Sequence, residues 1–112
     1  MADTSQNAGV LERLFAVIES RKGADPTSSY TAKLLAEGKA KIARKLGEEA
    51  IETVIAATAG APADVARESA DLLYHLLVLW ASAGIKPDQV WAEFAQREGT
   101  SGLAEKAARK KD

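Results

Sequence analysis

Two short acidic clusters are the residues of this chain best suited to chemistry: Glu48, Glu49 and Glu52 in the first, Glu68 and Asp71 in the second. A Gly60-Ala61-Pro62 break separates them. On an α-helix, residues three or four apart share a face, so Glu49 pairs with Glu52 and Glu68 with Asp71. If the break is a turn, the flanking helices run antiparallel. Glu49 and Asp71 then stand equally far from Gly60, as do Glu52 and Glu68, so four carboxylates converge at matching heights. Such a cluster repels itself and, when partly buried, must take up protons or hold cations. Hard oxygen donors favour Mg²⁺ or Mn²⁺. One acidic pair alone reads best as a solvated helix face or half of a salt bridge. Two pairs at matched heights with apolar flanks read as a metal site.

Carboxylate clusters on paired helices have two common uses, and the spacing distinguishes them. Di-iron bundle proteins place a histidine three residues after a metal-binding glutamate. Here Ile55 follows Glu52 and Asp71 follows Glu68 at that distance, so the histidine is missing. All-oxygen ligation points to Mg²⁺, which keeps several waters and completes its shell with substrate phosphates. Lys33, Lys41, Arg44 and Lys45 precede the acids and are candidates to neutralise phosphate oxygens that the metal does not touch. The implied chemistry is cleavage of a polyphosphate by metal-activated water.

The elements that must position these residues are helices. Val10, Leu11, Leu14, Phe15, Val17 and Ile18 recur at helical spacing, predicting a first helix to about Lys22 that Gly23 closes. Residues 24–28 form a loop around Pro26, and Ser28 or Ser29 caps a short helix over residues 30–37. Gly38 ends or kinks it before a long helix over 39–59, whose expected apolar stripe is Ile42, Ala43, Leu46, Ala50, Val54 and Ala57. Asp64 is the best N-cap candidate for a fourth helix running from near Val65 to Gly84. Its second half, Leu72, Leu73, Leu76 to Ala81, is apolar nearly all round, which predicts that it packs against a second subunit. A fifth helix starts at Lys86-Pro87-Asp88 with Val90, Trp91, Phe94 and Ala95 as its buried stripe, and Trp80 is assigned to packing as well. His75, four residues after Asp71, either donates to a ligand carboxylate or, with Tyr74, is a hydrogen-bonded core or interface residue, the favoured reading.

At 112 residues the chain is expected to be one domain over residues 9–98, with a frayed N-terminus over 1–8 and a C-terminal tail over 99–112 bearing the basic run Arg109-Lys110-Lys111. The fold class is all-α: an antiparallel helical bundle with the acidic site on a central helical hairpin, completed by dimerisation. Fifteen basic and sixteen acidic residues give a formal charge of −1, which argues against a strongly basic nucleic-acid binder. No cysteine is present, excluding disulfides and thiolate metal sites. Neither a secretory signal nor an apolar run near the ~20 residues of a membrane span is seen, so a cytoplasmic protein is expected.

Three segments carry a resemblance: Ser29-Tyr30-Thr31-Ala32-Lys33-Leu34, Lys45-Leu46-Gly47-Glu48-Glu49-Ala50-Ile51-Glu52, and Glu68-Ser69-Ala70-Asp71-Leu72-Leu73-Tyr74-His75. They resemble the signatures of the phosphoribosyl-ATP pyrophosphohydrolases, within the broader all-α nucleotide pyrophosphohydrolase superfamily. The Glu-Glu-x-x-Glu and Glu-x-x-Asp patterns belong to the superfamily, whereas the Ser-Tyr-Thr and Lys-x-Gly segments carry the narrower likeness. The resemblance implies hydrolysis of 1-(5-phosphoribosyl)-ATP to the corresponding AMP compound and pyrophosphate, the second step of histidine biosynthesis, with Mg²⁺ in a homodimer. Some members carry a fused cyclohydrolase domain; none is expected in this chain, so the following step is expected to need a separate protein. It carries metal ligation onto Glu49, Glu52, Glu68 and Asp71. Glu48 has three open roles: a second metal, orientation of water, or a pair with Lys45. The water-activating base is one of Glu48, Glu49 and Glu52, and Lys33 and Lys45 lead Lys41 and Arg44 as phosphate ligands. Two other functions fit the same residues: a pyrophosphohydrolase of ordinary or damaged nucleoside triphosphates, and a helical dimerisation module whose acids are surface charge.

Overall fold

Helical periodicity dominates the chain, and in a computed structural model covering residues 6–99, 102, 106, 107 and 109 it resolves into α1 Gly9–Ser20, α2 Tyr30–Glu37, α3 Lys39–Ala59, α4 Pro62–Ala83 and α5 Pro87–Glu98. No strand occurs among the described residues. The protein is all-α. Most of the expected tail, including Lys110 and Lys111, and residues 1–5 of the N-terminus lie outside the described residues.

Local chemistry fixes the ends. The Ser29 hydroxyl accepts from the Ala32 amide at 3.1 Å and starts α2. Gly38, with φ +96°, alone separates α2 from α3, a left-handed backbone that side chains disfavour. Gly84, with φ +76°, closes α4: the Ile85 amide reaches back to the Trp80 carbonyl at 2.9 Å, a Schellman ending with Ile85 folded onto the core. At the start of α4 the structure corrects the sequence reading. The helix begins at Pro62, not near Val65, because proline at the first position loses no helical hydrogen bond. Asp64 is therefore not the N-cap; it lies one turn inside and accepts from the Ala61 amide at 3.0 Å. The helix α1 likewise ends at Ser20, short of Lys22.

Only Gly60 and Ala61 connect α3 to α4, so the two helices fold back on each other and form the most extensive pairing of the molecule. A Cβ on Gly60 would lie 2.9 Å from the Ala56 carbonyl oxygen, which is why so tight a connection uses glycine there. The core gathers at the other end of this hairpin. Phe15 and Ile18 of α1, Leu34 of α2 and Ile42 of α3 enclose Leu77, Val78, Trp80 and Ala81 of α4. Trp91 of α5 meets Trp80 edge to face, with centroids 6.0 Å apart.

Most of the apolar second half of α4 is covered within one subunit by α1, α2, α3 and α5, while Leu73 stays 42% exposed. Of the expected α3 stripe, Ile42, Leu46 and Ala50 are buried or half-buried, but beyond Ala50 the covered face lies one residue earlier than expected. The buried and half-buried positions of α3 include Ile42, Leu46, Glu49, Thr53 and Ala56, at alternating steps of four and three, with Lys41, Lys45 and Ala50 half-buried beside them. Those of α4 include Val65, Glu68, Leu72, His75 and Leu79 in the same rhythm. Val54 is 61% exposed and, with Ile51 and Ile55, forms an uncovered apolar face on α3; Ala57 and Ala43 are exposed too. Phe94 of α5 is exposed as well, so of the expected α5 stripe only Val90 and Trp91 pack against the core. The radius of gyration, 16.2 Å, exceeds the about 13 Å of a compact domain of this length.

Candidate metal centre

The hairpin places acids where a hydrophobic seam would put leucines. Glu49 on α3 faces Glu68 and Asp71 on α4, and one carboxylate oxygen from each of the three lies within 4.8 Å of the others. Glu49 and Glu68 are half-buried, and one oxygen of each is fully buried without any hydrogen-bond donor. Burial alone pushes the Glu68 carboxyl above the usual carboxylate range, and the adjacent Glu52 and Asp71 push it further in the same direction. Glu52 thus borders the cluster through Glu68, from the exposed side of α3. The four acids expected to converge do lie together, three as a tight group and Glu52 at its edge.

Neighbouring side chains hold the seam in register. Thr53, one turn after Glu49, donates to the Glu49 carbonyl at 2.8 Å and approaches the Glu68 carbonyl at 3.3 Å across the helix pair. His75 is buried, and its Nδ1 sits 2.8 Å from the Asp71 carbonyl oxygen. A carbonyl can only accept, so Nδ1 carries the proton, and in that tautomer Nε2 is the acceptor, 3.2 Å from the Tyr30 hydroxyl. Both ring nitrogens are engaged, and neither contact is with a carboxylate. His75 is therefore a hydrogen-bonded core residue, the favoured of its two readings.

The profile of phosphoribosyl-ATP pyrophosphohydrolase matches residues 11–98. The chain belongs to the phosphoribosyl-ATP pyrophosphohydrolase family. A protein of Azospirillum brasilense named phosphoribosyl-ATP pyrophosphatase is 64% identical over 110 residues, covering 98% of this chain and 99% of the relative. One of Caulobacter sp. (strain K31) with the same name is 67% identical over 100 residues, covering 89% and 92%. One of Rhodospirillum rubrum, again so named, is 60% identical over 102 residues, covering 91% and 87%. All three resemblance segments fall within the span the family profile matches.

The candidate cations divide into two groups. Lys41 is paired with Glu37 of α2 at 3.4 Å, and Lys45 with Glu48 at 3.7 Å. The latter contact gives Glu48 one of its three open roles, the pair with Lys45. Lys33 and Arg44 are exposed and make no ion pair among the described residues. Lys33 lines a depression of about 550 Å³ together with Tyr30 and the hydroxyl residues Thr27, Ser28 and Ser29.

One cation escaped the sequence reading. Arg67, next to Glu68 in the chain, pairs with Asp64 at 2.8 Å and borders a cleft of about 310 Å³ beside Glu52 and Glu68, over the apolar Ile55 and Ala56. Its signal in the sequence is its place one residue before the second acidic cluster. Among the described residues no helix is long and apolar enough to cross a membrane.

Proposed function

We infer that this protein hydrolyses 1-(5-phosphoribosyl)-ATP to the corresponding AMP compound and pyrophosphate, the second step of histidine biosynthesis. Family membership supplies the substrate. The observation that carries the site is the pair of buried, donorless carboxylate oxygens of Glu49 and Glu68, facing each other beside Asp71. A cluster with that much uncompensated negative charge fits a cation better than it fits a core. The donors are all oxygen, since both nitrogens of the only histidine are engaged elsewhere and the chain has no cysteine, and this favours Mg²⁺ over softer metals, with Mn²⁺ the nearest substitute.

Glu49, Glu68 and Asp71 would hold the ion, with Glu52 completing its shell. When bound, Mg²⁺ neutralises phosphoryl charge and acidifies water. The rest falls to the chain. Of the three candidate bases, Glu49 is half-buried within the tight group and Glu48 is directed at Lys45, which leaves Glu52, exposed at the edge of the shell, to take the proton of the attacking water. Lys33 and Arg44, without ion pairs among the described residues, bind substrate phosphates; Lys45 and Lys41 must first exchange a carboxylate for a phosphate. A second copy of the chain covers the Ile51, Val54 and Ile55 face, since three adjacent apolar side chains each more than half exposed are costly to leave in water. Acting on an ATP-derived metabolite, the enzyme works in the cytoplasm.

The test is pyrophosphate release with Mg²⁺ from phosphoribosyl-ATP, run beside a panel of nucleoside triphosphates. Release from the panel but not from phosphoribosyl-ATP would transfer the assignment to a nucleotide-cleaning enzyme. Asp71→Asn is expected to abolish turnover with helix content unchanged by circular dichroism; retention of most activity would remove the metal site.

A further inference from the structure

Two consecutive polar contacts tie the first turn of α2 to α4. The Tyr30 hydroxyl meets Nε2 of buried His75 at 3.2 Å, and the Thr31 hydroxyl bonds the Tyr74 hydroxyl. The rings reinforce the contact: Tyr30 stacks on Tyr74 with centroids 6.3 Å apart, and Tyr74 meets His75 edge to face at 5.0 Å. Through Nδ1 the same histidine holds the carbonyl of Asp71. An unbroken path of hydrogen bonds therefore runs from α2 to the backbone of a residue in the acidic cluster. Lys33 follows Tyr30 by one helical turn and lines the same depression.

We propose that Tyr30 and His75 are positioning residues: their hydrogen bond sets the placement of α2, and so of Lys33, relative to the metal-binding helix. The proposal rests on the reading of Lys33 as a phosphate ligand. Neither residue touches reacting atoms. Their bond is directional and part-buried, so its loss lets α2 shift without unfolding, and the enzyme loses substrate affinity more than turnover.

Tyr30→Phe removes the donor. It is expected to raise KM for phosphoribosyl-ATP about tenfold and leave kcat within about threefold. His75→Asn keeps a donor for the Asp71 carbonyl but loses the acceptor for Tyr30, so it should match Tyr30→Phe. The double variant should be no worse than either single one, because both remove the same bond. His75→Gln keeps an acceptor near the Nε2 position and should recover most of the wild-type KM. Unchanged KM in Tyr30→Phe, or effects of the two variants that multiply, overturns the proposal. Amide hydrogen exchange gives a reading that needs no turnover: in Tyr30→Phe, protection of the α2 amides should fall about tenfold while α3 and the second half of α4 keep theirs. Unchanged α2 protection overturns the clamp whatever the substrate proves to be, whereas a wild-type protein that releases no pyrophosphate overturns only the reaction assigned above.

Discussion

Val54→Asp tests the face that the fold leaves uncovered. Ile51, Val54 and Ile55 are 62%, 61% and 56% exposed in a single subunit. Fully burying such a side chain is worth about 1.5–3 kcal/mol, so covering the exposed part gains about 1–2 kcal/mol each, or about 6–12 kcal/mol over both copies of a symmetric dimer. Lost translational and rotational freedom consumes about 4–15 kcal/mol of this. The stripe is then the centre of an interface to which neighbours such as Leu73, 42% exposed, must also contribute. Aspartate at position 54 forfeits the valine term twice and places a carboxylate, itself costly to desolvate, on both sides of the two-fold axis. The combined loss is at least about 4 kcal/mol, about a thousandfold in dissociation constant. Sedimentation velocity between about 10 nM and 100 µM, a span of about four decades that contains a shift of that size, should show the variant dissociating at concentrations about a thousandfold higher than the wild type. Because Val54 is exposed within the subunit, helix content should not change. A wild-type monomer throughout that range, or a variant dimer as tight as the wild type, refutes the argument.

Three further outcomes follow from the seam and the turn. The raised pKa of Glu68 means that the folded protein holds this proton more tightly than the unfolded chain. Metal-free stability should therefore fall as pH rises from the ordinary carboxylate range through the folded value, while affinity for Mg²⁺ rises over the same window; thermal melts from pH 4 to 8 with and without Mg²⁺ read both signs. Glu68→Gln should melt higher than the wild type without metal at pH 7 and gain nothing from added Mg²⁺, whereas the wild type at a Mg²⁺ concentration about a hundred times the dissociation constant should gain about 2.7 kcal/mol. Gly60→Ala forces a Cβ to 2.9 Å from the Ala56 carbonyl and 3.0 Å from an Asp64 carboxylate oxygen, and should cost about 1–3 kcal/mol in urea unfolding.

The helices and the acidic site were legible in the sequence because they rest on local signals. Periodicity, Gly38, Ser29 and Gly84 mark the ends of α2, α3 and α4, and the equal spacing of the acids about Gly60 brings Glu49, Glu68 and Asp71 together. The orientation of α3 was not legible, and the site itself is the cause. Apolar residues at helical spacing step past Glu49 and Thr53, which line the seam, and lead through half-buried Ala50 to exposed Val54 and Ala57. The core-facing stripe could be found only by allowing acids inside it. Val54 then counts as buried, and the need for a partner falls on α4, most of whose apolar surface α1, α2 and α5 cover. The Tyr30–His75 contact joins residues 45 positions apart, a separation at which no local pattern carries information.

Glu49 and Glu68 also set what a laboratory selection would do to this protein. Both stand at seam positions where leucine would pack and add stability, while each acid contributes repulsion and an unpaired buried oxygen until a cation arrives. Variants enriched for heat resistance alone would accumulate apolar replacements at these two positions and emerge as robust, inert helical hairpins. Any campaign to stabilise the protein therefore has to screen for turnover in every round, or hold positions 49 and 68 fixed from the start.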